Sequence, residues 1–465
     1  MSRNRFVEIV AADWFAVGQL LAEKVAEKST FAYRYDREIY SDEEDIKELW
    51  TKNLGPKAKQ SMSSATPNAY SLCDGFDSVF SKKSEGFSVW ELLTLYEVDM
   101  FLHEFHYKCE HCKHRIMKGP RHVCVDCDGA SSSDESSAVT TRRSKKVKRR
   151  HISVCHKCYP AHLKCNQCAA DLTETTVLHE TSGVGIANKS GCTGFGYRNQ
   201  AGSFCGQTLE MATDTYNYGR FDTIYRLSNS STGVTALVYD VGCILSPFGI
   251  NSKKLGLCVF NLYNSDYCLP PYKADEVRVP MAALQWEILL RGSSNVSETL
   301  EFLRGSQGGI PTFTSASFIV AAGGDCAVIE VTANEQWVPP PIEDASEDND
   351  PAIVASGRRN GANWIVRANN CLAGSSLESS ESLPPNISSR MRQQNLQESF
   401  EEASDVVPDV EWAKTALSTM TIQTHYCLGT IVMEPADSRM HVRFRAGTRI
   451  SSTLKNGGKW EMFSI

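Results

Sequence analysis

Apolar residues recur three or four positions apart across residues 13–27, DWFAVGQLLAEKVAE, where Trp14, Val17, Leu21 and Val25 fall on one stripe. That period predicts an amphipathic helix packed on a core. A second helical pattern, FSVWELLTLYEVDMFLHEF, covers 87–105. From residue 191 onward the texture changes to short β-rich runs: TALVYDVGCIL (235–245), LGLCVFNLY (255–263), SASFIVAAGGDCAVIEV (315–331) and LGTIVMEPADSRMHVRFRAG (428–447). The helical segments MAALQWEILLRG and SETLEFLRG separate some of them. Hairpin-like pairs joined by GGD and EPADSR predict sheets that are at least partly antiparallel, in a mixed α/β layered fold. Two acidic or Ser-rich stretches, 339–351 and 372–385, read as solvated insertions. No internal repeat is present.

Composition narrows the picture. The chain has 465 residues, with 48 Lys+Arg against 55 Asp+Glu and a formal net charge of -7. Mild acidity excludes a generic nucleic-acid coat or a polybasic membrane binder as the identity of the whole chain. A hydrophobic fraction of 42% is enough for a large core, so the chain is neither disordered nor fibrous. No run approaches the roughly 18 to 20 apolar residues of a membrane helix, and the N-terminus lacks the apolar centre of a signal peptide. A cytoplasmic protein with no membrane partner is the expectation, and in that reducing compartment its 17 cysteines call for metal ligation or nucleophilic chemistry rather than disulfides.

Eight of those cysteines form four Cys-x-x-Cys pairs in one short region: Cys109/Cys112, Cys124/Cys127, Cys155/Cys158 and Cys165/Cys168. Eight thiolates complete two tetrahedral zinc sites, because a two-residue gap lets both sulfurs of a pair reach one ion. Two structural zinc ions are the expected cofactors, and they would supply folding energy to a unit with little core of its own. YKCEHCKHRIMKGPRHVCVDC followed by SVCHKCYPAHLKCNQC resembles a ZZ-type zinc finger. The resemblance implies a crossed pattern, with Cys109, Cys112, Cys155 and Cys158 on one ion and Cys124, Cys127, Cys165 and Cys168 on the other. Here a cysteine pair stands where the family has histidines; His162 and His179 are the nearest imidazoles. The family binds peptide N-termini and protein tails, so a protein or peptide ligand is implied. Within the finger, a loop over 128–150 carries the basic run RRSKKVKRR at 142–150, which reads as a solvated charged loop, a nuclear import signal or a phosphate-binding patch. Nothing near it offers aromatic stacking, which ranks a nucleic-acid role last.

A second resemblance begins at Gly191. GCTGFGYRNQAGSFCGQTLE (191–210) is similar to the processing site and first hairpin of the acyl-coenzyme A:6-aminopenicillanic acid acyltransferase family of N-terminal-nucleophile hydrolases. The similarity extends over about 12–103 and from 176 to the C-terminus, with GINSKKLGL, RANNCL, SSRMRQQNLQE and the closing GTIVMEPADSRMHVRF in order. It implies a four-layer αββα fold of α+β class, with residues 1–103 as a helical part, the finger inserted at 104–180, and a nucleophile-bearing segment over 181–465. It also implies self-cleavage between Gly191 and Cys192, leaving Cys192 as a new chain terminus. The chemistry suits the dipeptide: a thiol can attack the preceding carbonyl, glycine permits the crowded geometry, and the freed α-amine, with an ordinary pKa of about 7.7 to 8.0, can act as base for its own thiol.

Further roles follow from the resemblance one residue at a time. Glu210 stands where the family has an Asp that orients the amino terminus, and Thr208 stands where it has Asn. Arg390 matches an arginine set against the catalytic centre; the alternative for it is a surface helix arginine. Asn261 is the candidate oxyanion donor, with Asn264 as competitor, and Asn369 matches the asparagine of a Thr-Asn-His stretch in which Asn370 replaces the histidine. Together these imply a cysteine amidohydrolase or acyltransferase acting on a small N-acyl or acyl-thioester substrate. The alternative is a hydrolase-like scaffold that has lost catalysis and serves as a zinc-finger adaptor, in line with the departures at Thr208, Glu210 and Asn370. The remaining cysteines, 73, 205, 243, 258, 268, 326, 371 and 427, read as small buried hydrophobes.

Overall fold

The computed structural model describes residues 5–39, 54–84, 88–94, 119–123, 153–155, 173–177, 192–199, 202–210, 223–240, 244–245, 247–262, 278–305, 310–314, 316–331, 336–337, 356–359, 362–369, 387–403, 407–419, 427–444 and 458–465. The chain divides into two compact units, residues 1–101, 185–381 and 385–465 forming one and 102–184 with 382–384 the other. Among the described residues no helix is long and apolar enough to cross a membrane.

In chain order the elements are β1 (Phe6–Ala11), α1 (Trp14–Ile39), α2 (Gly55–Ala65), α3 (Pro67–Lys83), β2 (Gly119–Val123), β3 (Ser153–Cys155), β4 (Thr173–Val177), β5 (Thr193–Asn199), β6 (Gly202–Glu210), β7 (Thr223–Asn229), β8 (Val234–Asp240), β9 (Phe248–Asn251), β10 (Leu255–Asn261), α4 (Met281–Leu290), α5 (Val296–Arg304), β11 (Ala316–Ala322), β12 (Asp325–Val331), β13 (Gln336–Trp337), β14 (Ser356–Arg359), β15 (Ala362–Arg367), α6 (Ile387–Glu402), α7 (Val410–Ala416), β16 (Cys427–Glu434), β17 (Arg439–Phe444) and β18 (Trp460–Ser464).

Among the described residues the larger unit holds two sheets. One has eight strands in the order β1-β7-β8-β9-β10-β11-β12-β13, the other seven in the order β14-β15-β5-β6-β16-β17-β18. Among the described strands only β1 joins its neighbour in parallel, along β7. The sheets face each other through β10, β11 and β12 on one side and β5, β6 and β15 on the other. Helices α1, α4 and α5 pack on the outer face of the eight-stranded sheet, and α6 and α7 on that of the seven-stranded sheet. The result is four layers: helix, sheet, sheet, helix.

Sequence patterns explain much of this. The stripe Trp14, Val17, Leu21 and Val25 is buried as its period requires, and Asp13 accepts the Ala16 N–H at 2.8 Å to start the helix. The helix runs on to Ile39, well past the amphipathic stretch. MAALQWEILL forms α4, and every one of its residues is buried because the helix lies between a sheet and another helix. In β11 all seven residues are buried, as both faces of a central strand are covered. The β11–β12 hairpin turns on Gly323 and Gly324, with φ of +59° and +81°, a backbone that glycine adopts without strain. At the other anticipated hairpin, Pro435–Asp437 form a 3-10 turn and Ser438 takes φ +52°.

One reading needs revision, and another falls largely outside the described residues. The run 235–245 is not one strand: β8 ends at Asp240, whose carboxylate accepts the Ile244 N–H, and Ile244 takes φ +75°. Of the helix read over 87–105, residues 89–94 are helical and the remainder from 95 lies outside the described residues. In the smaller unit β2 lies between β3 and β4, both antiparallel to it, with Cys155 opposite Arg121.

Candidate active site

Cys192 immediately precedes β5 and is buried, at 4% exposure. Gly191 lies outside the described residues. The open end of the β5–β6 hairpin is closed by Thr208, whose hydroxyl accepts the Thr193 N–H at 3.1 Å and donates back to the Thr193 carbonyl at 3.3 Å. Thr208, one of the departures from the family pattern, thus holds the strand that presents the thiol.

Strand register gathers the other groups. β15 runs antiparallel to β5 with Arg367 opposite Gly194 as the last pair, so Cys192, just before β5, and Asn369, just after β15, leave the ladder at the same end. Directly opposed residues share a face, so Gly194 and Arg367 look into the space between the sheets. Gly196, on the same face, confirms the direction, since a Cβ there would stand 2.0 Å from Cys326 Sγ of the opposite sheet. Asn369 is 3% exposed. Its N–H donates to Ser389 Oγ at 2.8 Å, and its side-chain Nδ2 donates to the Asn261 carbonyl at 2.7 Å. Among the described residues its Oδ1 has no hydrogen-bond partner.

The structure therefore brings Cys192, Asn369 and Asn261 to one end of the sheet pair. At Asn261 the contact shown is through the main-chain carbonyl at the end of β10, which anchors Asn369, while the oxyanion role read for its side chain stays an expectation. Glu210 ends β6 one strand from β5, opposite Cys427 of β16, and nothing is described of its side chain. Cys427 itself donates its thiol to the Gly429 carbonyl at 3.3 Å. Arg390 follows Ser389 on α6, one residue from a group that touches Asn369; its side chain also lies outside the described residues. Two positions on, Arg392 is buried at 4% exposure, so this helix turns an arginine away from solvent.

Two buried polar devices beside the site escaped the sequence reading. Gln207 Oε1 accepts the Val259 N–H at 2.6 Å and its Nε2 donates to the Val259 carbonyl at 3.3 Å, stitching β6 to β10 across the sheets. Arg367 and Glu330 form an ion pair at 2.8 Å with side chains 1% and 0% exposed, and Arg367 Nε donates to Ser317 Oγ at 3.3 Å. The only local signal was a charged residue inside an otherwise apolar strand.

Burial, reinforced by the neighbouring Cys205 thiol, pushes Cys258 well above the ordinary thiol range, and burial does the same to Cys326, which disfavours the thiolate at both.

The eight Cys-x-x-Cys residues are not described beyond the backbone of Cys155 in β3. Among the described residues no group of three or more His, Cys, Asp and Glu could hold a metal ion. Chemically, the site pairs a buried thiol with an amide whose orientation is fixed by a backbone carbonyl, which suits attack on an acyl carbon and stabilisation of the oxygen it leaves charged.

No family model matches the chain, and no curated protein does. Solved structures resemble it at low identity. The Caenorhabditis elegans N-acylethanolamine-hydrolyzing acid amidase ortholog is 12% identical, over 59% of this chain and 100% of its own, with a TM-score of 0.36. Penicillin V acylase from Agrobacterium tumefaciens is 13% identical over 54% and 83%, with a TM-score of 0.34. A variant of conjugated bile acid hydrolase from Clostridium perfringens is 11% identical over 59% and 89%, with a TM-score of 0.25.

Proposed function

We propose that the chain is a self-processing amidohydrolase or acyltransferase whose nucleophile is Cys192, freed as an N-terminus by cleavage after Gly191. The observation that carries this reading is Cys192 at the head of β5, at the end of the sheet where β15 runs out into Asn369, whose Nδ2 is tethered to the Asn261 carbonyl. In maturation, Cys192 Sγ attacks the Gly191 carbonyl carbon, the amide nitrogen leaves as the α-amine with a proton, and water hydrolyses the resulting thioester. In turnover the α-amine takes the thiol proton, the sulfur adds to the acyl carbon of a small N-acyl or acyl-thioester substrate, and the proton passes to the departing amine or thiol. One Nδ2 hydrogen of Asn369 is committed to Asn261, and the other is available to the developing oxyanion. Water or an amine then takes the acyl group from sulfur. Glu210 is assigned to hold the α-ammonium, and Arg390 a carboxylate at the site.

The four Cys-x-x-Cys pairs are proposed to hold two structural zinc ions, their thiolate donors fitting tetrahedral zinc, and the finger to bind a protein or peptide ligand. The chain is assigned to the cytoplasm, with the basic run at 142–150 as a nuclear import signal.

Intact-mass measurement of freshly made protein beside Cys192→Ala tests the enzyme reading. Native protein should resolve into residues 1–191 and 192–465, and the variant should stay whole. A native chain that stays whole under every maturation condition, with Cys192 untouched by acyl probes, would favour the adaptor instead.

A further inference from the structure

We propose that the buried Arg367–Glu330 ion pair is a positioning element for the Cys192 site, an inference that rests on reading Cys192 as the nucleophile. Arg367 belongs to β15, next to β5. Its guanidinium crosses the space between the sheets to Glu330 of β12, at 2.8 Å, and to Ser317 of β11, at 3.3 Å. Ser317 and Glu330 are themselves opposite each other in the β11–β12 ladder, so one side chain grips a register pair of the facing sheet. Two residues on, past the end of β15, Asn369 donates to the carbonyl of Asn261, and Asn261 lies opposite Ala316, the neighbour of Ser317. The two ties therefore land on adjoining positions of the eight-stranded sheet.

Their roles divide by energetics. Desolvating two charges offsets most of what their attraction returns, so a pair of this kind is close to neutral for stability when both partners are replaced by apolar residues of similar size. What it imposes is geometry: the fork of Arg367 locks β15 against the opposite sheet at the last paired row, Arg367 with Gly194, from which the chain leads on to Asn369 and back to Cys192. An amide that must meet an oxyanion tolerates little displacement, and an error of about 1 Å is enough to cost roughly a hundredfold in rate.

The test compares the full native chain with Arg367→Met/Glu330→Leu and with Arg367→Lys, using p-nitrophenyl acetate as acyl donor, peptide-resolved mass spectrometry to score acetyl-Cys192, and Cys192→Ala as blank. Thermal midpoints are recorded alongside. In the double variant the maximal acylation rate should fall roughly tenfold to a hundredfold, while the half-saturating ester concentration stays within twofold and the midpoint within a few degrees. Arg367→Lys keeps the charge but loses the fork, and should fall in the same direction by less; it decides the matter if the double variant does not fold. Loss of self-cleavage with an unchanged midpoint also supports the proposal, because both reactions need the same donor. Acylation within twofold of native in the folded variants overturns it and leaves the nucleophile reading standing. A native chain that is never acetylated at Cys192 removes the nucleophile reading, and this inference with it.

Discussion

Glu287 shows how much one side chain can settle far from the site. Helix α3 starts at Pro67 with no side-chain cap from Thr66. Its first-turn donors are met from another helix: Glu287 accepts the Asn68 N–H at 2.8 Å, the Ala69 N–H at 2.9 Å and Asn68 Nδ2 at 2.8 Å. Burial pushes its carboxyl above the ordinary value of 4.5, and the three donors only partly hold it down. An acid with a raised native pKa binds more protons folded than unfolded between the two values. Stability should therefore decline as pH rises from about 4.5 through the raised value. Glu287→Ala should lack that part of the slope and, by leaving several buried donors unmet, cost about 2 kcal/mol or more at neutral pH. Urea titrations at a series of pH values would check both; a native slope of the opposite sign would refute the account.

At the scale of elements, α1 and α3 pack unusually close. A Cβ on Gly18 would stand 2.0 Å from the Leu72 carbonyl oxygen, and one on Gly75 1.9 Å from that of Phe15. Both contacts are with backbone, so only a shift of the helices could relieve them. Alanine is the better helix former by up to about 1 kcal/mol, but overpacking here should cost more, of order 1 to 3 kcal/mol net. Gly75→Ala should accordingly lower the urea midpoint, whereas a gain would show that the helices part easily. On the other side of the molecule, Phe195, Tyr197, Trp364 and Phe400 fill the layer between the seven-stranded sheet and α6 and α7. That aromatic core supports β5 from behind, so the strand carrying Cys192 is backed by packing on one face and by cross-sheet hydrogen bonds on the other.

For the whole molecule, the larger unit is built without any of the paired Cys-x-x-Cys residues. The proposed finger predicts about two zinc ions per purified chain by elemental analysis. Chelation should release them and melt the finger, because metal binding supplies its folding energy. The strand signal of the larger unit in far-ultraviolet circular dichroism should persist. A chain purified without zinc would refute the finger.

Local chemistry sufficed for some of this architecture. The start of α1, the Gly323-Gly324 hairpin and the turn at 434–439 follow from period and turn residues, which act over a few positions. The Gly191–Cys192 dipeptide and the four cysteine pairs are equally short-range patterns, and the roles read from them stand as proposals. Helices α2, α3, α6 and α7 left no comparable stripe, and β8 read too long because a run buried on both faces carries no alternation to mark its end. Only the tertiary structure joined Asn369 to Asn261, Gln207 to Val259 and Arg367 to Glu330, partners separated by 108, 52 and 37 residues. A residue's type says that a buried polar group needs a partner; which partner it finds depends on strand register and sheet facing, and those are properties of the assembled chain.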